Sequence, residues 1–85
     1  MAKENFEIGD KEKHLLTVDV SIFWKKIKIE LDDEKLVDKG HFTPGPEQFT
    51  FDVGTDEKHK VEVSAGGFSP TKVLVDGKEV EGTKG

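Results

Sequence analysis

The chain has 85 residues and a mass of 9.5 kDa, which is the size of a single compact domain spanning residues 1–85. Cysteine is absent, which excludes disulfides, thiol catalysis and cysteine-based metal sites. The 18 acidic residues outnumber the 13 basic ones, giving a net charge of −5, and every basic residue is lysine. A dedicated nucleic-acid surface, which favours a basic patch and arginine, is therefore not expected.

No stretch of the chain approaches the roughly 20 apolar residues that a membrane-spanning helix needs. Residues 1–6 also lack the apolar run of a signal peptide. We therefore expect a soluble, cytoplasmic protein.

Alternating apolar and polar residues predict four short strands in the first half of the chain, over residues 5–8, 16–22, 27–31 and 35–37. The last two strands form a hairpin that turns at Asp32-Asp33. A loop rich in proline and glycine follows over residues 41–48, because prolines on both sides of a glycine do not fit a paired strand.

The second half repeats this scheme, with strands predicted over residues 49–53, 61–65, 73–75 and 78–80. The dipeptide Asp76-Gly77 predicts a type I′ turn in the last hairpin. We find no long helical period in the sequence, so all regular structure is expected to be β.

An internal repeat relates the two halves at a spacing of about 45 residues. It brings Phe6, Gly9, Glu12 and His14 into register with identical residues 45 positions later. Similar alternation in two β-rich stretches is the simpler explanation, but alternation alone does not place glycine and histidine. We therefore predict pseudo-repeats over about residues 5–40 and 50–85.

About eight short strands with regular turns predict an antiparallel β-sandwich built from this duplication, with a small β-barrel as the alternative. The expected core is made of the inward-facing residues of both halves. They are Phe6, Ile8, Leu16, Val18, Val20, Ile27, Ile29, Leu31, Leu36, Phe51, Val53, Val61, Val63, Val73, Val75 and Val80.

The second half also resembles a known family. Residues 51–54 (Phe-Asp-Val-Gly), 59–63 (His-Lys-Val-Glu-Val), Phe68 and 75–79 (Val-Asp-Gly-Lys-Glu) occur in an order similar to that of the Fas apoptosis inhibitory molecule family. The members of that family are antiparallel β-sandwiches whose halves look alike. The resemblance implies a non-enzymatic interaction module without a cofactor.

The sequence offers no convincing catalytic group. Nucleophilic catalysis needs a serine, threonine or cysteine beside an oriented base, and the serines lie on a polar strand face or in loops. His14 and His59 occupy equivalent positions of the repeat, where we expect turn residues that cover a strand end. We predict that the protein is not an enzyme.

Acidic residues provide a weaker alternative. Asp32, Asp33 and Glu34 form a cluster near Asp38, but they lack the spacing of a calcium-binding loop. Solvated turn residues are the simpler interpretation. No spacing brings His41 together with His14 and His59 to form a zinc site.

The strongest functional lead is an aromatic connection between two strands, formed by Phe23, Trp24, Lys25 and Lys26, with Phe68 at the aligned place in the second half. An exposed tryptophan beside lysines can bind a peptide, a sugar ring or an anionic surface. In the structural alternative, Phe23 and Phe68 plug the two ends of the sandwich while Trp24 covers an edge. Acidic residues follow at once, so nucleic-acid binding is not favoured.

The sequence therefore predicts a protein–protein interaction module that binds through the Trp24 loop or through an exposed sheet edge. A carbohydrate-binding module using Trp24 is the alternative, followed by a weak calcium-binding protein using residues 32–34. No cofactor is expected, and a monomer is favoured.

Overall fold

A computed structural model describes residues 2–21, 23–40, 45–67 and 70–84. Within these ranges all regular structure is β-strand, which confirms the prediction of an all-β fold. The described residues form no helix that could cross a membrane. The strands are Ala2–Ile8 (β1), His14–Ser21 (β2), Lys26–Leu31 (β3), Glu34–Gly40 (β4), Glu47–Val53 (β5), His59–Ala65 (β6), Lys72–Val75 (β7), Lys78–Val80 (β8) and Thr83–Lys84 (β9).

The strands form two separate antiparallel sheets, one in the order β4-β3-β2-β1-β9 and the other in the order β5-β6-β7-β8. Buried side chains from both sheets join in one hydrophobic cluster. The fold is therefore the expected sandwich, and the alternative of a small barrel is wrong because a barrel needs one closed sheet. The eight predicted strands correspond to β1–β8.

The two sheets repeat the same strand register 45 residues apart. β1 pairs Phe6 with Leu16 of β2, and β5 pairs Phe51 with Val61 of β6. β5 begins at Glu47, inside the segment predicted as a loop over residues 41–48. Residues 41–44 of that loop lie outside the described residues.

The core follows from the two-residue period of the strands, because alternate side chains point to the same face. Most of the predicted core residues are buried, and Leu31, Phe51, Val75 and Val80 are partly buried against them. The fully buried side chains are Phe6, Ile8, Leu16, Val18, Ile27, Ile29, Val53, Val61, Val63 and Val73.

Leu36 does not lie in the core, and its prediction was wrong. The β3–β4 ladder pairs Glu30 with Lys35 and then Ile29 with Val37, so Leu36 is the extra residue of a β-bulge. The bulge turns Val37 toward the core instead and leaves Leu36 exposed. The sequence alternation does not reveal a bulge, because an inserted residue reverses the order of inward and outward positions.

The ninth strand was not predicted. β9 contains two residues and shows no alternation of its own. It is a strand because Thr83 pairs with Asn5 at the outer edge of β1.

Truncation of a buried valine tests the core. Val63→Ala is expected to lower the free energy of unfolding by about 1–3 kcal/mol, because it leaves a cavity in a close-packed interior. Leu36→Ala removes more carbon from the exposed bulge position and is expected to change stability by less than about 0.5 kcal/mol. Urea denaturation of both variants measures the difference, and equal losses would place Leu36 in the core after all.

The last hairpin has the predicted type I′ turn, with φ values of 51° at Asp76 and 82° at Gly77. A Cβ at Gly77 would meet no atom within 4 Å, so the backbone conformation alone opposes substitution. Gly77→Val is expected to lower the free energy of unfolding by about 1–2 kcal/mol, because a branched side chain resists positive φ.

In the equivalent turn Asp33 has a φ of 68°, so Asp33→Gly is expected to raise the melting temperature. Thermal unfolding of both variants tests whether Gly77→Val lowers the melting temperature while Asp33→Gly raises it.

Candidate functional site

Two short loops face each other at one end of the sandwich, over residues 9–13 after β1 and 54–58 after β5. Each begins with a glycine of positive φ, 102° at Gly9 and 104° at Gly54. A Cβ at either glycine would lie 2.0 Å from the carbonyl oxygen of the residue three positions later. Only glycine fits this close turn. The turn leaves successive backbone N–H groups of the loop free to bind an anion.

Each loop supplies a glutamate whose carboxylate accepts hydrogen bonds from backbone N–H groups of the opposite loop. Glu12 accepts from three consecutive residues of the second loop, and Glu57 accepts from three consecutive residues of the first. The distances are 2.7, 2.8 and 3.3 Å to Glu12 from Thr55, Asp56 and Glu57, and 2.7, 2.8 and 3.4 Å to Glu57 from Asp10, Lys11 and Glu12. We call these reciprocal contacts the carboxylate clasp.

A histidine supports each glutamate of the clasp. His14 contacts Glu12 through Nε2 and Asp32 through Nδ1, both at 2.5 Å. A carboxylate only accepts hydrogen bonds, so both ring nitrogens must donate and the imidazole must be protonated. The carboxylates of Asp32 and Glu12 accordingly raise the pKa of His14 above its usual range.

The second half repeats this arrangement. His59 contacts Glu57 through Nε2 at 2.5 Å and Asp76 through Nδ1 at 2.6 Å. Hydrogen bonds from Asp76 and Glu57 raise the pKa of His59 in the same way. Each aspartate also accepts a backbone N–H with its other oxygen, from Leu15 at 2.8 Å and from Lys60 at 2.9 Å. The histidines thus link the clasp to both hairpin turns.

The acidic members of the clasp stay ionised well below neutral pH. The hydrogen bond from His14, together with those from the opposite backbone, lowers the pKa of Glu12 to about 2. His59 and the opposite backbone lower the pKa of Glu57 to about 2 as well. Each imidazolium therefore lies between two carboxylates.

This geometry leaves neither histidine a free nitrogen lone pair, so neither can act as a general base in this state. Both histidines were predicted as turn residues that cover a strand end, whereas they are the first residues of β2 and β6. Their carboxylate partners were not predicted. The signal was present in the repeat, because Glu12 and Asp32 align with Glu57 and Asp76.

The predicted aromatic connection lies at the opposite end of β2. Phe23 and Trp24 are 82% and 68% exposed, and their rings meet edge to face with centroids 4.9 Å apart. Phe23 does not plug the end of the sandwich, so that structural alternative was wrong for this residue. The turn is fixed by the Trp24 N–H, which donates to Ser21 Oγ at 3.1 Å, and by Lys25 with a φ of 53°. Phe68, the aligned phenylalanine, lies outside the described residues.

A cavity of about 360 Å³ lies beside Trp24 on the outer face of the five-stranded sheet. Its lining comes from β2, β3, β4 and the aromatic turn, because outward residues alternate with the buried valines and isoleucines of these strands. The register places Asp19 opposite Lys28, and Lys28 opposite Asp38. The lining residues are Asp19, Ser21, Trp24, Lys26, Lys28 and Asp38.

The cavity carries both signs of charge. Lys26 Nζ lies 3.9 Å from Asp38, and Lys35 donates to the same carboxylate at 3.2 Å from outside the cavity. The Lys35 hydrogen bond is the main cause of the lowered pKa of Asp38. Asp19 differs, because its Oδ1 is buried and has no hydrogen-bond partner among the described residues. It is therefore an acceptor that a bound donor would satisfy.

The structure brings part of the predicted site together. Trp24 and Lys26 line the cavity, while Phe23 and Lys25 lie in the adjoining turn. Asp19, Ser21 and Lys28 were not predicted as site residues, because each resembles an ordinary outward residue of a half-buried strand. These three residues share one face of the β2–β3 hairpin, so a prediction of that pairing would have brought them together.

The acidic turn over residues 32–34, which the sequence offered as a weak calcium site, is held by hydrogen bonds within the protein. Both Asp32 oxygens accept hydrogen bonds, from His14 and from the Leu15 N–H. Asp33 and Glu34 are exposed beside it. Within the described ranges, no group of three or more histidine and acidic side chains could hold a metal ion. His41, the third histidine of the chain, is not among the described residues.

No protein-family model matches the chain. Neither a curated protein nor a solved structure matches it. The likeness to the Fas apoptosis inhibitory molecule family therefore depends on the residue pattern alone.

Proposed function

We propose that the protein is a non-enzymatic interaction module that binds a segment of another protein at the aromatic turn and the adjoining cavity. The observation that carries the proposal is the pair of neighbouring aromatic side chains, Phe23 and Trp24, that project from one turn. Large aromatic residues dominate the binding energy of protein interfaces when they meet a partner.

The exposure of this pair stands out against the rest of the molecule. Among the described large hydrophobic residues, the other exposed ones are Leu15 at 46% and Leu36 at 38%, and both are less exposed than Trp24. An exposed phenylalanine and tryptophan in contact form a patch that water solvates poorly. A partner that covers them would recover that free energy.

The cavity supports a polypeptide as the partner. Its two lysines and two aspartates offer donors and acceptors side by side, which suits the alternating N–H and C=O groups of a peptide. The Asp19 carboxylate, which lines the cavity, would accept a backbone or side-chain donor of that peptide. The volume also lies within the range of about 300–1,000 Å³ that is typical of small binding pockets.

Selection from a linear-peptide phage library tests the proposal. Peptides enriched on the wild-type protein are expected to shift the Trp24 fluorescence and the amide resonances of residues 19–28. Trp24→Ala is expected to weaken binding of the enriched peptides by at least about tenfold, as for an interface hot spot.

Leu15→Ala provides the matched control. Leu15 is also exposed and lies on β2, but six residues from Ser21, or roughly 20 Å along the strand. Its truncation is expected to leave peptide binding unchanged. Equal affinity of the enriched peptides for wild-type protein and Trp24→Ala, or a failure to enrich any peptide, would overturn the proposal.

A carbohydrate-binding role is the second candidate, and the position of Trp24 at the wall of a polar cavity favours it. A sugar ring can stack on the indole while its hydroxyl groups bond to Asp19 and Ser21. Titration with a panel of oligosaccharides is then expected to shift the Trp24 emission, and Asp19→Asn to weaken the effect. No shift with any oligosaccharide would remove this candidate.

The resemblance to the Fas apoptosis inhibitory molecule family supports the same non-enzymatic role. No observation of the site favours calcium binding at residues 32–34, because hydrogen bonds already occupy Asp32. A cytoplasmic location remains a prediction from the sequence.

A further inference from the structure

Among the described strands, four lie at sheet edges, namely β4, β9, β5 and β8. An exposed edge offers unpaired backbone groups to other chains, and proteins protect such edges with short strands, bulges and lysines. Three of the four edges carry such a device. β9 has two residues, β8 has three, and β4 has the bulge at Leu36 together with two lysines, Lys35 and Lys39.

β5 contains none of these devices within its own residues, although Lys39 of β4 donates to the Glu47 carboxylate at its first position. It is seven residues long, with the sequence Glu-Gln-Phe-Thr-Phe-Asp-Val, and its register with β6 continues without a bulge from Glu47 to Val53. Phe49 and Phe51 lie on its inward row and are only partly buried, so they leave apolar surface at this edge of the sandwich. Among the described strands, none lies beyond β5 in its sheet.

The repeat indicates what this edge can accept. The counterpart of β5 is β1, 45 residues earlier, and the outer edge of β1 carries β9 as an antiparallel strand. Asn5, which pairs with Thr83 of β9, is the equivalent of Thr50. The same edge geometry therefore accommodates an additional antiparallel strand.

We propose that β5 pairs with β5 of a second copy of this chain, antiparallel and centred on Thr50, to join two four-stranded sheets into one of eight strands. In this register Phe49 lies opposite Phe51 of the second copy, and the symmetry forms this pair twice. Gln48 likewise lies opposite Asp52, and Glu47 lies opposite Val53. Aromatic cross-strand pairs stabilise a sheet, and this register places no like charges opposite each other.

Other symmetric registers are less favourable. Centring the pair on Phe49 or Phe51 gives one phenylalanine pair instead of two. In the Thr50 register, inward-facing residues of one copy also lie opposite inward-facing residues of the other. The buried face of each sheet therefore continues across the dimer. One edge pair buries less than a standard interface of about 1,200–2,000 Å², so the dimer is expected to form only at high protein concentration.

This inference does not depend on the proposed function, because the Trp24 cavity lies on the other sheet. It differs from the sequence-based expectation of a monomer.

Two lysine substitutions at exposed positions of β5 test the register. Thr50→Lys places two lysines opposite each other at the symmetry axis and is expected to weaken dimerisation about fivefold. Gln48→Lys places each lysine opposite Asp52 of the second copy and is expected to strengthen it about fivefold. Both change the net charge by the same amount, so a general charge effect would shift both dissociation constants in one direction.

Sedimentation equilibrium of the full chain from micromolar to millimolar concentration measures the dissociation constants, and circular dichroism confirms that both variants fold. Opposite shifts, together with concentration-dependent amide protection of residues 48–52, are the expected result. A wild-type chain that stays monomeric throughout would overturn the proposal. A dimer that both variants leave unchanged, or shift in the same direction, would overturn it as well.

Discussion

Replacement of Gly54 by alanine is expected to destabilise the protein by about 3 kcal/mol or more, among the largest effects of a single methyl group in this chain. The new Cβ would lie 2.0 Å from the Glu57 carbonyl oxygen, and the φ of 104° is unfavourable for any residue with a side chain. Relief of the clash requires the loop to open, which withdraws the backbone N–H groups that hold Glu12. Gly9→Ala is expected to behave alike, because its Cβ would meet the Glu12 carbonyl oxygen at the same distance.

Gly45→Ala is the matched control. A Cβ there would meet no atom of the described residues within 4 Å. Thermal and urea unfolding of the three variants is expected to show large losses for Gly9 and Gly54 and little change for Gly45. A loss below about 1 kcal/mol at Gly54 would mean that the loop does not adopt the close turn described above.

Removal of one charge from the clasp is expected to lower the melting temperature more than truncation of a core valine does. Glu12→Gln keeps the size of the side chain but replaces one acceptor oxygen by an NH₂ group, which then faces backbone N–H donors or the His14 imidazolium. A donor facing a donor leaves polar groups unsatisfied. Glu57→Gln disrupts the other half of the clasp in the same way. Thermal unfolding of both variants measures the loss.

Glu62→Gln serves as the control, because Glu62 is exposed on β6 and its substitution changes the charge equally. It is expected to have little effect. A Glu12→Gln variant as stable as the Glu62→Gln variant would show that the clasp does not hold the two loops together.

The clasp also determines how stability depends on pH. The folded-state pKa of each histidine is raised above 6.5, so its contribution is complete below pH 6.5 and is lost as the pH rises through the folded value. Glu12 and Glu57 have pKa values lowered from 4.5 to about 2, so their contribution is lost as the pH falls across that range. The free energy of unfolding is therefore expected to be highest between about pH 4.5 and 6.5. Urea denaturation from well below pH 4.5 to well above pH 6.5 measures it, and a free energy of unfolding that does not fall above pH 6.5 would contradict the linkage.

Much of the fold could be predicted from the sequence, because two properties of the chain are local. The period-two alternation of Leu16, Val18 and Val20 places a buried face without reference to any other strand. The Asp76-Gly77 turn requires positive φ values that few other dipeptides adopt. The bulge at Leu36 and the pairing of β9 depend on partner strands, so they appear only in the structure.

The candidate site was less predictable for the same reason. Trp24 was recognised because two bulky aromatic residues stand beside lysines at a strand connection, but Asp19 and Lys28 become neighbours only through the β2–β3 register. The clasp joins residues 43 to 47 positions apart. The repeat aligned every one of its side chains, yet alignment alone does not show that each glutamate reaches into the opposite loop.

Nitrogen-15 NMR of the histidine side chains is the most direct test of the clasp. At pH 6.5 both ring nitrogens of His14 and His59 are expected to carry protons, and both rings are expected to titrate above pH 6.5, because carboxylates accept from each nitrogen. A ring of His14 or His59 that titrates below pH 6.5, with one nitrogen already unprotonated at that pH, would contradict the proposed hydrogen-bond network between the two halves.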